Sequence, residues 1–183
     1  MYKIGKNIFG TMTQPIGSMQ QENVIQVLKE PLAQELLNSN IPARLAYTGS
    51  DGFPRVIPVG YYWNGAQFII GTAPNAPKVR ALATNPKVAL TIDTNTYPPN
   101  VLLVRGTSNI EVVDGVPPEY LEASKKLVGE QEWQVFEAQV RAMFNQMARI
   151  TIVPEWAKLL DFKTRIPAFL LRLVEDLEEE KQK

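Results

Sequence analysis

The chain has 183 residues, 45% of them hydrophobic, with Lys+Arg and Asp+Glu balanced at 19 each. It contains no histidine and no cysteine, which excludes disulfides, a thiolate nucleophile, Ser-His-Asp and Cys-His machinery, and the commonest metal ligands. The even charge balance gives no whole-chain case for a nucleic-acid partner, and any redox or group-transfer chemistry falls to an organic cofactor.

The apolar stretches are far shorter than a membrane span and no signal-peptide pattern opens the sequence, so the expected location is cytoplasmic, with no membrane partner. The length suits one domain with appended helices. Residues 1–22 are polar and punctuated by Gly5, Gly10, Pro15 and Gly17, and read as an N-terminal arm; residues 23–183 form the single domain.

Asn23 is placed to cap a short helix. Pro31 sits at a first turn, and Leu32, Leu36 and Leu37 give helical spacing up to Asn38-Ser39-Asn40. The period then changes. Residues 43–47 predict a strand, Gly49-Ser50-Asp51-Gly52 a hairpin turn, and residues 53–62 a second strand limited by Pro54 and Pro58. Asn64-Gly65 is the strongest short hairpin signal. Residues 67–72 read as a strand buried on both faces, and 88–93 and 101–113 as two more, the longer bending at Gly106.

Two helices follow, over 117–128 and 130–147. In the second, Trp133, Phe136, Val140, Met143, Phe144 and Met147 fall on one stripe, which is more often the packed face of a helix than a ligand pocket. Residues 149–153 and 157–162 read as one interrupted strand, and Pro167 starts a last helix with a charged end. Strands dominate the middle and helices flank it, which predicts a mainly β fold: a small antiparallel barrel with helices on its ends.

Candidate chemistry lies between Ala43 and Gly106. Pro77 suits a first helical position, which leaves the N–H groups of Lys78 and Val79 at the helix start. With the Thr72 hydroxyl and the Lys78 ammonium they form a plausible phosphate seat. The alternative is a connector helix with an ordinary exposed lysine. In the second strand, Arg55-Val56-Ile57-Pro58-Val59 alternates outward and inward, and Pro58 removes a donor. Nearby backbone groups can then meet the edge of a planar heterocycle; the alternative is an edge strand blunted by proline. Tyr61-Tyr62-Trp63 suits cross-strand packing better than ligand stacking. Asp161 and Glu155 make no convincing acid–base pair, so no catalytic residue and no metal site is assigned.

The order of these pieces resembles the pyridoxamine 5'-phosphate oxidase-like, FMN-binding split-barrel proteins. The resemblance rests on Arg44-Leu45-Ala46, Asp51-Gly52-Phe53-Pro54, Arg55-Val56-Ile57-Pro58-Val59, Asn64-Gly65, Thr72, Lys78, Leu82, Asn85-Pro86 and Val104-Arg105-Gly106. It covers about a third of the chain closely and extends loosely to residues 150–162. It implies a six-stranded antiparallel split β-barrel that works as a homodimer, with flavin at the interface and a small-molecule substrate.

By the same resemblance, Lys78 and Thr72 seat the FMN phosphate, and Val56 and Ile57 present backbone to the isoalloxazine. Arg55 reaches the phosphate or a ring carbonyl, and the partner copy contributes Arg105 and Trp156. Many relatives carry Arg or Ser just before the lysine; here Ala76 and Pro77 stand there, with Arg80 one turn on as compensation. The histidine and arginine set that pyridoxamine-type oxidases use for their substrate is missing. The resemblance thus implies an FMN-dependent oxidoreductase. Its alternatives are a deazaflavin-dependent reductase and a non-catalytic flavin- or haem-handling protein.

Overall fold

A computed structural model describes residues 21–162. Within them the order is α1 (Gln21–Lys29), α2 (Pro31–Asn38), β1 (Ala43–Thr48), β2 (Pro54–Val59), β3 (Tyr62–Trp63) and β4 (Phe68–Thr72). Then come α3 (Pro77–Thr84), β5 (Lys87–Asp93), β6 (Asn100–Asp114), α4 (Pro118–Lys125), α5 (Trp133–Met143) and β7 (Gln146–Asp161). The expected N-terminal arm and the helix from Pro167 lie outside the described residues.

The seven strands form one antiparallel sheet in the order β2-β1-β5-β6-β7-β4-β3. This corrects the expected six-stranded barrel. The fold is mixed α/β, with five helices among the described residues, and the sheet is not closed. The chain steps from one sheet edge to the other across Gly60 and Tyr61, and β2 and β3 do not pair. Two features keep the edges apart. Pro54 and Pro58 remove two N–H donors from β2, and β3 is two residues long.

The local signals explain the turns. Gly52 and Gly65 adopt φ of +82° and +95°, which the Asp-Gly and Asn-Gly turns need and a side chain opposes. The Asn64 carboxamide oxygen accepts from the amides of Ala66 and Gln67 at 2.9 and 2.7 Å. The core fills the inner sheet face. Phe68 and Ile70 of β4, Leu45 of β1, Leu90 and Ile92 of β5 and Ile150 of β7 are fully buried against Leu36 and Leu37 of α2. Each such side chain contributes about 1.5–3 kcal/mol relative to exposure.

Other expectations shift in detail. Helix α2 starts at Pro31 and ends at Asn38 as its proline and leucine spacing predict, but Asn23 lies inside α1 rather than capping it. The last strand is continuous over 16 residues. Pro154 interrupts pairing without ending it: Arg105 faces Trp156 and Gly106 faces Pro154, so Glu155 is the extra residue of a bulge. The Thr107 hydroxyl donates to Glu155 Oε1 at 2.6 Å. Helix α5 stops at Met143, which is 70% exposed; Met147 belongs to β7 and is buried. The rest of the predicted stripe does pack: Trp133, Phe136, Val140 and Phe144 gather with Val116, Tyr120, Leu121 and Met147 in a second apolar cluster.

Candidate functional site

Helix α3 begins as the sequence predicts, with Ala76 as N-cap and Pro77 at the first helical position. Lys78 follows, half-buried. Burial lowers its pKa below the ordinary lysine value, and no carboxylate among the described residues pairs with it. The Val79 amide is already used: it donates to the Ala76 carbonyl at 2.9 Å. Of the two helix-start amides assigned to a phosphate, that leaves the one on Lys78.

Lys78 stands on the wall of a cleft of about 350 Å³. Pro58, Val59 and Gly60 form one side, at the end of β2, and Ile70 and Gly71 of β4 another. The cleft lies where the two sheet edges fail to meet. The remaining wall comes from Tyr120 and Ser124 of α4, Leu127 in the turn after it and Phe136 of α5. Sequence reasoning missed this wall. Its signal was the aromatic stripe of α5, whose Phe136 both packs and lines the cleft. The Ser124 hydroxyl donates to the Tyr120 carbonyl at 2.8 Å, so the α4 side is mainly apolar. Gly71 lets α4 come close: a Cβ there would stand 2.6 Å from Tyr120 Cδ2.

The other predicted site residues divide into two groups. Directly paired strand residues share a sheet face. The registers Val56↔Ala46, Ala46↔Ala89, Ala89↔Arg105 and Arg105↔Trp156 therefore set Val56, Arg105 and Trp156 in one row on the outer face. Val56 is 64% exposed, and the Arg105 guanidinium carbon lies 4.1 Å from the Trp156 ring centroid. Ile57 turns inward against the core. Arg55 donates from Nη2 to Asp51 at 2.6 Å. That bond, followed by the Phe53 amide, holds the Asp51 carboxyl below its usual range. Thr72 is half-buried at the end of β4 and Arg80 is exposed on α3; neither lines the cleft.

The cleft thus combines apolar walls with a partly desolvated cation that no carboxylate among the described residues pairs with. An anionic group beside Lys78 removes that imbalance. As a sheet edge, β2 carries a row of backbone groups that β1 does not use, reduced by its prolines. This donor set fits a planar ligand with one phosphate, held by a single cation rather than two. Among the described residues, no group of three or more His, Cys, Asp or Glu is arranged to hold a metal, and no helix is long and apolar enough to cross a membrane.

A family model described as Pyridoxamine 5'-phosphate oxidase matches residues 30–160. Among solved structures, the chain is similar to an F420 reductase, at 23% identity and a TM-score of 0.53, covering 68% of this chain and 94% of that one. It is similar to a conserved hypothetical protein from Mycobacterium tuberculosis, at 17% identity and a TM-score of 0.52, covering 82% and 90%. It is also similar to HutZ, the heme storage protein from Vibrio cholerae, at 17% identity and a TM-score of 0.52, covering 72% and 92%. At these identities the likenesses speak for the fold. Among curated proteins none matches.

Proposed function

The chain belongs to the pyridoxamine 5'-phosphate oxidase family, and on that premise we propose that it binds FMN and acts as an oxidoreductase on a small-molecule substrate. The observation that carries the reading is Lys78: a half-buried cation without a carboxylate partner among the described residues, facing an apolar cleft at the edge of β2. In this reading the ammonium and amide of Lys78 hold the phosphate at the cleft wall, and Thr72 and Arg80, which lie outside that wall, serve only a phosphate that projects beyond it. The β2 backbone at Val56 and Ile57 meets the ring edge. Pro58 and Val59 supply apolar contact, and Tyr120 and Phe136 exclude water. FMN, when bound, supplies hydride exchange at its N5. The chain's own part is to bind, orient and desolvate, which requires no histidine.

The same reading makes the protein a homodimer. The outer row Val56–Ala46–Ala89–Arg105–Trp156 is partly exposed, with alanines in its middle. A second copy seated on it brings Arg105 and Trp156 to the neighbouring flavin.

The test is titration of the purified protein with FMN, followed by visible absorbance and flavin fluorescence. Saturable binding near one FMN per chain supports the proposal; no binding sinks it. A deazaflavin coenzyme is the second reading, because a phosphate at the equivalent place meets the same Lys78 and an F420 reductase shares this fold. Parallel titration of both cofactors separates them. A non-catalytic flavin- or haem-handling role is the third, since a heme storage protein also shares the fold. A chain without histidine or cysteine lacks the commonest haem-iron ligands. Bound FMN that common reductants do not turn over favours the non-catalytic form.

A further inference from the structure

Residues 115–145 leave the sheet and return to it at one rung. Asp114 ends β6 opposite Gln146, which starts β7, and the Gly115 amide donates to the Asn145 carbonyl at 2.6 Å. Gly115 turns the chain outward at φ +68°. The excursion carries α4 and α5. Its apolar residues form a cluster apart from the main core, joined to the sheet through Met147 of β7.

Its base and its tip are held differently. At the base, Arg149 of β7 pairs with Glu119, and Tyr120 closes on Gly71 so tightly that no Cβ fits between them. The tip, residues 123–136, gives Ala123, Ser124, Leu127, Val128 and Phe136 to the Lys78 cleft. Among the described residues, one hydrogen bond ties this tip to the rest of the fold: the Lys126 ammonium donates to the Leu37 carbonyl at 3.0 Å. Leu37 lies in the last turn of α2, where free carbonyls favour a cation. The Tyr61 ring centroid lies 5.1 Å from the same ammonium. Burial lowers the Lys126 pKa, and the carbonyl and the ring offset part of that desolvation. Next to it, Leu127 Cδ1 would stand 3.3 Å from a Cβ on Gly60. The gap between the tip and the β2–β3 crossover, about 10 Å³, has room for about one water. The tip is thus shut against the crossover by apolar contact and one charged hydrogen bond.

Elements with few ties to the main core open before the fold as a whole, and lids over ligand sites are drawn from them. We propose that the tip is a lid on the Lys78 cleft, that it opens about the base at Gly115–Tyr120, and that Lys126 is the positioning residue that latches it shut. The latch stands without the flavin reading; the coupling of the lid to bound FMN rests on it.

The chain has no cysteine, so single reporter thiols enter on a silent background. Ala123→Cys puts one on the inner side of the tip, where Ala123 is 6% exposed and lines both the cleft and the gap. Ala157→Cys puts another in the main core. The experiment is the rate of labelling by iodoacetamide at each position, read by mass spectrometry on the full chain. Lys126→Met should speed labelling at position 123 by about tenfold or more, the range for hydrogen bonds to charged groups, and leave position 157 unchanged. Lys126→Arg keeps a charged donor and should restore most of the slow rate. Leu127→Ala, at an exposed position, should speed position 123 by a smaller factor, and decides the matter if the methionine variant fails to fold. With Lys126 in place, FMN should slow labelling at position 123. An unchanged rate at position 123 in Lys126→Met overturns the latch, and so does equal acceleration at both positions, which is a general loss of stability. FMN that binds without slowing position 123 overturns the lid. A latch effect without any FMN binding keeps the latch and removes the flavin reading alone.

Discussion

At Lys78, burial opposes the charge that a phosphate needs. The folded pKa is lowered, so between the folded and the ordinary lysine values the unfolded chain binds more protons and stability rises with pH. Below that window the full desolvation cost of the cation is present. Lys78→Met should therefore leave the ligand-free melting temperature unchanged or raise it. The same variant should weaken FMN binding by about tenfold to a hundredfold, the range for hydrogen bonds to charged groups. Binding favours the protonated form, so affinity in the parent protein should fall as pH rises through the depressed Lys78 pKa. In Lys78→Met it should stay flat over that range. Fluorescence titration across pH checks both; an unchanged dissociation constant in the variant refutes the role.

The residue scale also shows what could be read in advance. Pro77 at the first helical position and Lys78 behind it follow from local chemistry, and α3 begins there. The Val79 amide does not follow, because its use depends on a tight first turn closed on Ala76. The Asp51–Arg55 pair ties down an arginine that the motif offered to a ligand. Both choices are settled by geometry within a few residues, which spacing alone leaves open.

At the scale of elements, the β6–β7 ladder is the longest pairing in the sheet, and its bulge governs it. A Cβ at Gly106 would stand 2.1 Å from the Val153 carbonyl oxygen, and backbone cannot swing aside as a side-chain tip can. Gly106→Ala should destabilise the protein by about 3 kcal/mol or more, in the range of severe overpacking. Urea denaturation measures this, and a loss below about 1 kcal/mol would contradict the close approach.

Strand positions were legible because β1, β4, β5 and β6 alternate or run apolar between strong turns. The bulge at Glu155 was legible only as an interruption, since Pro154 announces a lost donor without saying whether pairing resumes. The end of α5 was hidden: Phe144 and Met147 continue the helical spacing yet pack from a loop and a strand. The α4–α5 wall of the cleft was hidden for another reason. Nothing local in Tyr120 or Phe136 states which distant edge they cover.

At the scale of the molecule, the sheet wraps the core but leaves β2 and β3 apart. The candidate cleft occupies that opening. Only Gly60 and Tyr61 separate β2 from β3 in the chain, yet the two strands lie on opposite edges of the sheet, with the prolines of β2 and the two residues of β3 weighing against their pairing. The open outer face gives a prediction of its own. Val56 is 64% exposed, so Val56→Asp should fold normally, yet convert a dimer to a monomer and weaken flavin binding with it. Light scattering after size exclusion reads the mass; a parent protein that is monomeric at micromolar concentration contradicts the shared site.

The central claim is that the cleft at Lys78 holds FMN. Titrating ligand-free protein with FMN while recording visible absorbance and fluorescence tests it most directly. The account predicts saturation at one FMN per chain, a perturbed flavin spectrum, and marked weakening in Lys78→Met. A flavin spectrum that stays that of free FMN at saturating protein would contradict it.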